Sequence, residues 1–204
     1  MSSSSSGNLF LTVAVIAFVA SLGWVLFTLS ESGKFTGFAT SNSNATVNVT
    51  VNSVTAINFT TNNINFGAGY VNPGSANVTL DTSTGTTTGG TGFTANSVGF
   101  VLENIGNTNV TLNISSGKTA ASFFGGTNPY YLYNLSDIEA GSCLSYPSNS
   151  TFQTFLTGGG NLTCGNFQFK TSADTVRIDV RLVIPFDSIT GDLGDQITAT
   201  ATSL

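Results

Sequence analysis

An all-β domain, a β-sandwich or jelly roll of about seven to nine strands preceded by one N-terminal apolar α-helix, is the fold this sequence predicts. Three observations predict it. Residues 9–29 form a run of 21 residues without a charge. Further along, apolar residues recur at every second position, the period of a half-buried strand. Between those stretches stand clusters of Gly, Asn, Thr and Pro, which break strands into turns, and no helical period intervenes.

Residues 1–8 (MSSSSSGN) read as a disordered polar tail. Residues 9–30 read as an apolar helix, which at about 1.5 Å per residue spans roughly 30 Å, the hydrocarbon thickness of a bilayer. The hydroxyls of Thr12, Ser21 and Thr28 can bond back to helix carbonyls, Gly23 is tolerated in membrane helices, and Trp24 and Phe27 suit an interface. Three fates stay open for this helix: a retained membrane anchor, a helix packed inside a filament as in pilins, and a cleaved secretory signal. Against the signal, the tail has no Lys or Arg, and the run exceeds the usual core of about 7–15 residues. For the pilin form, Ser6-Gly7-Asn8 supplies a Gly before the helix without the basic residue or the Glu that prepilin sites usually carry. Residues 31–44 read as a stalk of mostly small polar residues, with Phe35 and Phe38 as its only aromatic side chains.

Residues 45–204 read as one extracellular β domain. Residues 46–51 (TVNVTV) alternate Val with Thr or Asn and predict a strand. Residues 54–60 and 64–66 predict two short strands or one bent one, Asn72-Pro73-Gly74 a turn, and residues 76–80 a further strand. Residues 81–92 contain only Asp, Thr, Ser and Gly and predict a long exposed loop. Residues 97–103 and 108–115 predict a hairpin, with Gly106-Asn107 supplying a positive φ at the turn. Residues 118–165 are less regular and predict a variable crown. Tyr130, Tyr131, Tyr133 and Tyr146 cluster there, and core or rim positions compete with a sugar-stacking role for them. Residues 166–170 predict a short strand. Residues 175–185 (TVRIDVRLVIP) predict the strongest one, with Val176, Ile178, Val180 and Leu182 inward and Arg177, Asp179 and Arg181 toward solvent. A loop over 187–195 and a closing strand over 196–204 complete the domain.

Composition excludes several functions. Lys plus Arg total 5 against 10 Asp plus Glu, a net charge of −5, which leaves no footprint for nucleic acid or for anionic lipid. Only 7% of residues are charged, against roughly 25% in ordinary domains. His is absent, so a Ser-His-Asp arrangement is impossible. A carboxylate pair of the glycosidase type would have to draw on Glu103, Glu139 and seven Asp with no recognisable scaffold. The expectation is a protein that is not an enzyme and needs no cofactor. The loop DSITGDLGD places Asp187, Asp192 and Asp195 within nine residues; these can ligate Ca²⁺ or form a solvated acidic turn.

The two cysteines, Cys143 and Cys164, flank a loop and predict a disulfide in an oxidising compartment. Nine N-glycosylation triplets begin at Asn44, Asn48, Asn58, Asn77, Asn109, Asn113, Asn134, Asn149 and Asn161, all after the apolar helix. Together these place the β domain outside the cell.

Residues 100–115 (FVLENIGNTNVTLNIS) and 180–202 (VRLVIPFDSITGDLGDQITATAT) resemble exported archaeal surface proteins and, more distantly, the camelysin/TasA-like filament proteins. The resemblance implies an extracellular sandwich or jelly-roll domain, in some members assembled into fibres by strand exchange. The leading expectation is thus a membrane-anchored structural glycoprotein of the cell surface. A pilin-like or strand-exchanging filament subunit, and an adhesin or carbohydrate-binding module, are the alternatives. The expected partners are membrane lipid or further copies of the chain, with surface glycans as candidate ligands.

Overall fold

The computed structural model describes Ala14 and residues 16–21, 45–147 and 151–204. The predicted tail, the stalk, most of the apolar helix, Asn44 and Asn149 lie outside these residues. Residues 16–21 are helical; no helix among the described residues is long and apolar enough to cross a membrane. The chain divides into two compact units, Met1–Thr50 and Val51–Leu204.

The second unit is mostly β, in several antiparallel sheets. Its elements are β1 (Ile57–Thr61), β2 (Tyr70–Val71), β3 (Asn77–Asp81), β4 (Thr86–Thr88), β5 (Gly90–Thr91), β6 (Phe100–Asn104), β7 (Val110–Ser116), α1 (Ala120–Phe124), β8 (Tyr130–Asp137), β9 (Gln153–Thr154), β10 (Asn161–Phe167), β11 (Thr175–Pro185) and β12 (Ile197–Ser203). The seven-stranded sheet is organised on β11. One edge of β11 pairs with β8 from Val176 to Val183. The other edge pairs first with β6, at Thr175–Ile178, and then with β3, at Arg181–Pro185. β1 adds outside β6, β4 outside β3 and β9 outside β8. A three-stranded sheet runs β10-β7-β12, and β2 pairs with β5.

Alternation explains the core. Val176, Ile178, Val180 and Leu182 of β11 are buried as their period of two predicts. They join one cluster with Val78 and Leu80 of β3, Leu102 of β6, Val110, Leu112 and Ile114 of β7, and Cys164 and Phe167 of β10. The opposite face of β11 departs from expectation. Asp179, read as solvent-facing, is only 5% exposed. It lies where β6 gives way to β3 beside β11, a gap in the ladder that side chains fill. Thr82 donates its hydroxyl to Asp179 (2.8 Å) and accepts the Val180 N–H (2.9 Å). Arg177 pairs with Asp179 at 2.7 Å and donates to the carbonyls of Thr82 and Ser97. Gly99 must be glycine there, because a Cβ would lie 2.8 Å from the Ile178 carbonyl oxygen.

The predicted hairpin is corrected. Its arms go to different sheets, β6 to β1 and β11, β7 to β10 and β12. The reason is local: the buried Asn104 amide donates to the Thr108 carbonyl and accepts the Gly106 N–H, folding a corner in place of a two-residue turn. Gly106 does not take a positive φ. It is required by close approach, since a Cβ would sit 2.3 Å from the Val54 carbonyl oxygen. Asn107 continues the corner by bonding the backbone at Asn52 and Val54.

Other readings shift as well. Residues 46–51 pair with no strand among the described residues, and Val47, Val49 and Val51 are 90%, 83% and 79% exposed. Alternation alone does not make a strand where no neighbour supplies the ladder. Residues 64–66 are not a strand. The loop over 81–92 contains β4 and β5, because threonines suit a ladder even without apolar neighbours. The crown contains the helix α1, capped by the Thr119 hydroxyl accepting the Ser122 N–H. It also contains the eight-residue strand β8. The strand read at 166–170 starts earlier, as β10.

Candidate functional site

The disulfide is present: Cys143 and Cys164 are joined, with Cα atoms 5.9 Å apart and 21 residues between them in sequence. Cys143 lies in the segment after β8 that bridges to Phe167 of β10, and Cys164 lies on β10, so the disulfide fastens that segment to the small sheet. Around it the Asp137 carboxylate accepts the N–H groups of Gly141 (3.0 Å) and Cys143 (2.9 Å) and the Tyr146 hydroxyl. Burial, followed by that bond to Asp137, raises the Tyr146 pKa above its ordinary value. Glu139 accepts the Asp174 N–H at 3.0 Å, and Glu103 sits in β6 opposite Asn58 and Thr175. The Asp137 and Glu139 carboxylates hold turns and strands in place.

The tyrosine cluster is divided by the pleat of β8. Tyr131 and Tyr133 are buried in the core, Tyr130 is exposed, and Tyr146 belongs to the bridge region. They form no common stacking surface. Tyr131 stacks with Phe123 and Phe155, and burial, followed by the nearby Asp195 carboxylate, holds its hydroxyl protonated far above its usual range.

Among the triplets, Asn48, Asn58 and Asn77 are exposed, whereas Asn109, Asn113, Asn134 and Asn161 are half-buried. The side-chain oxygens of Asn109 and Asn113 are buried without a partner among the described residues. Asn161 donates its amide to the Thr154 carbonyl. The three acidic residues of the 187–195 loop are not gathered. Asp187 accepts the N–H and hydroxyl of Thr127, Asp195 accepts the Lys118 N–H, and Asp192 is exposed. Among the described residues no three metal-ligating side chains converge. Thr127 and Lys118 draw the two flanking carboxylates to separate partners.

A second polar group lies on the outer face of the large sheet. Arg181 donates to Asp81 at 2.7 Å and lies 3.8 Å above the ring of Phe152. Burial alone would raise the Asp81 pKa; the hydrogen bonds from Ser83 and Arg181 outweigh it and hold the carboxyl below its ordinary value. A folded-state pKa below the unfolded one means stability that is complete above the unfolded value, about 3.9, and is lost as pH falls through the folded value. Wild type should therefore melt higher than Asp81→Asn at pH 7, and the two melting temperatures should converge by about pH 2. A gap independent of pH would show that Asp81 acts by packing alone.

A cleft of about 680 Å³ lies between residues 63–71 and 186–195. Its floor carries Leu80, Phe123, Tyr131 and Leu182, and Phe93 and Phe100 line it further out. Asp192 and Asp195 are its acidic groups. Sequence reasoning missed this site, since its walls come from segments more than a hundred residues apart and share no local motif. A scan against protein-family models finds no match for the chain, and a search of curated proteins finds none.

Proposed function

We propose that the protein is a non-catalytic structural component of the cell surface. Its β domain is a two-sheet sandwich or jelly roll, held outside the cell by the apolar residues 9–30. The observation that carries the reading is the Cys143–Cys164 bridge, since disulfides persist in oxidising compartments. The low charge, the glycosylation triplets and the apolar run support it. The carboxylates around the bridge have structural partners, which agrees with a scaffold role. Native protein should sediment with membranes and leave them only in detergent, with an intact N-terminus by mass spectrometry. Recovery of the bare β domain in the culture medium would refute the anchor.

A filament subunit is the second reading. The exposed valines of residues 46–51, without a strand partner among the described residues, favour it. Such a stripe gains from pairing with another copy. In the same experiment, a mature N-terminus at Gly7 or Asn8 would favour the pilin form over the anchor.

A further inference from the structure

We propose that the cleft between residues 63–71 and 186–195 binds a small amphipathic cation, an alkyl- or arylammonium. Its apolar body would lie against Phe93, Phe100 and Phe123, with its charged head at Asp192. The volume, about 680 Å³, falls within the range of small-molecule sites, about 300–1,000 Å³. The mouth is apolar: Tyr70, Phe186 and Ile189 are 59%, 70% and 51% exposed, and all three line the cleft. Large exposed apolar side chains gathered at one opening mark a binding surface.

The charge of the ligand follows from the polar groups. Both ionisable side chains with carboxylates in the lining, Asp192 and Asp195, are acidic, and no basic side chain lines the cleft. Lys118 stands at its margin and shows what the wall accepts. Its ammonium donates to the Gly194 carbonyl at 2.6 Å and lies 5.5 Å from the centre of the Phe123 ring. Its backbone N–H meets Asp195. Asp195 is thus engaged by the chain itself. No hydrogen bond or ion pair from the described residues reaches Asp192, which remains for an incoming cation. Aromatic faces together with a carboxylate attract an ammonium and disfavour an anion. The site is independent of whether the domain is anchored or assembled, so its test stands apart from the proposed function.

The full chain, with methyl-labelled Ile and Leu, is titrated with benzyltrimethylammonium, benzylsulfonate and methyl glucoside. The ammonium should shift the methyl signals of Ile184, Ile189 and Leu193 saturably, and the sulfonate should bind at least about tenfold more weakly. Asp192→Asn, a change at an exposed position, should weaken ammonium binding by about five- to tenfold and leave the spectrum otherwise intact. Equal binding of the sulfonate, shifts confined to other residues, or no saturable shift would each overturn the proposal. Binding of the glucoside in preference to the ammonium would overturn it in favour of a sugar site.

Discussion

Replacing Phe155 by alanine should cost the domain about 3–5 kcal/mol, the usual range for an aromatic lost from a core. The ring is 2% exposed and lies 4.4 Å from Tyr131 and 4.7 Å from Tyr133, centre to centre. Its backbone N–H bonds the Tyr131 carbonyl at 3.0 Å. The neighbouring tyrosines are held by β8, paired along its length to β11, so they cannot collapse far into the space left behind. The loss should appear in denaturant unfolding as a lower midpoint with an unchanged slope. In a domain of this size it corresponds to a fall of roughly 10 °C in melting temperature. A loss below about 1 kcal/mol would mean that the segment between the cysteines does not dock on the core in solution.

Opening the disulfide ranks second. Joining two points 21 residues apart restrains the unfolded chain by about 3 kcal/mol in the chain-entropy model. The paired substitution Cys143→Ser with Cys164→Ser should lower stability by about 2–4 kcal/mol. The double change avoids leaving one reactive thiol. Because the bridge fastens the segment after β8 to β10, amide exchange should rise first in residues 161–167. The bonds between β8 and β11 should stay protected, since eight consecutive residue pairs hold them. Uniform loss of protection in both sheets would show instead that the bridge is needed for the whole domain. Labelling of two free thiols in protein isolated without reductant would remove the disulfide, and with it the main support for an extracellular location.

What the sequence made legible depended on whether a side chain's fate was decided locally. β11, β12 and β3 could be read because apolar residues recur at every second position in their sequences, as Val176, Ile178, Val180 and Leu182 do in β11. The tyrosine-rich β8 has the same alternation. The sequence left its tyrosines between core or rim positions and a sugar-stacking role, and the partners Phe123 and Phe155 show why Tyr131 and Tyr133 point inward. The helix α1 has five residues, too few for a period of 3.6 to register. Asp179 illustrates the opposite failure. A charge in an alternating strand reads as solvent-facing, but its burial depends on Thr82 and Arg177, and Thr82 is 97 residues away. The corner at Asn104 likewise depends on one amide side chain satisfying two backbone groups, which the Gly-Asn sequence that follows conceals. The cleft was illegible for a simpler reason, since nothing within either wall signals the other.

The position of β11 in the chain has a consequence for how the domain comes into being. β3, β6 and β8 all precede it, and each hydrogen-bonds to it. β3 and β6 have no ladder to one another, and neither has one to β8. Until residue 175 emerges during synthesis, these three strands lack the surface on which they assemble. β7 can pair with β10 earlier, but its other edge waits for β12, whose pairing begins at Ile197 with Ser116. Completion of the large sheet therefore waits for residues 175–185, and of the small one for residues 197–203. These closures join segments far apart in sequence and are slow to find.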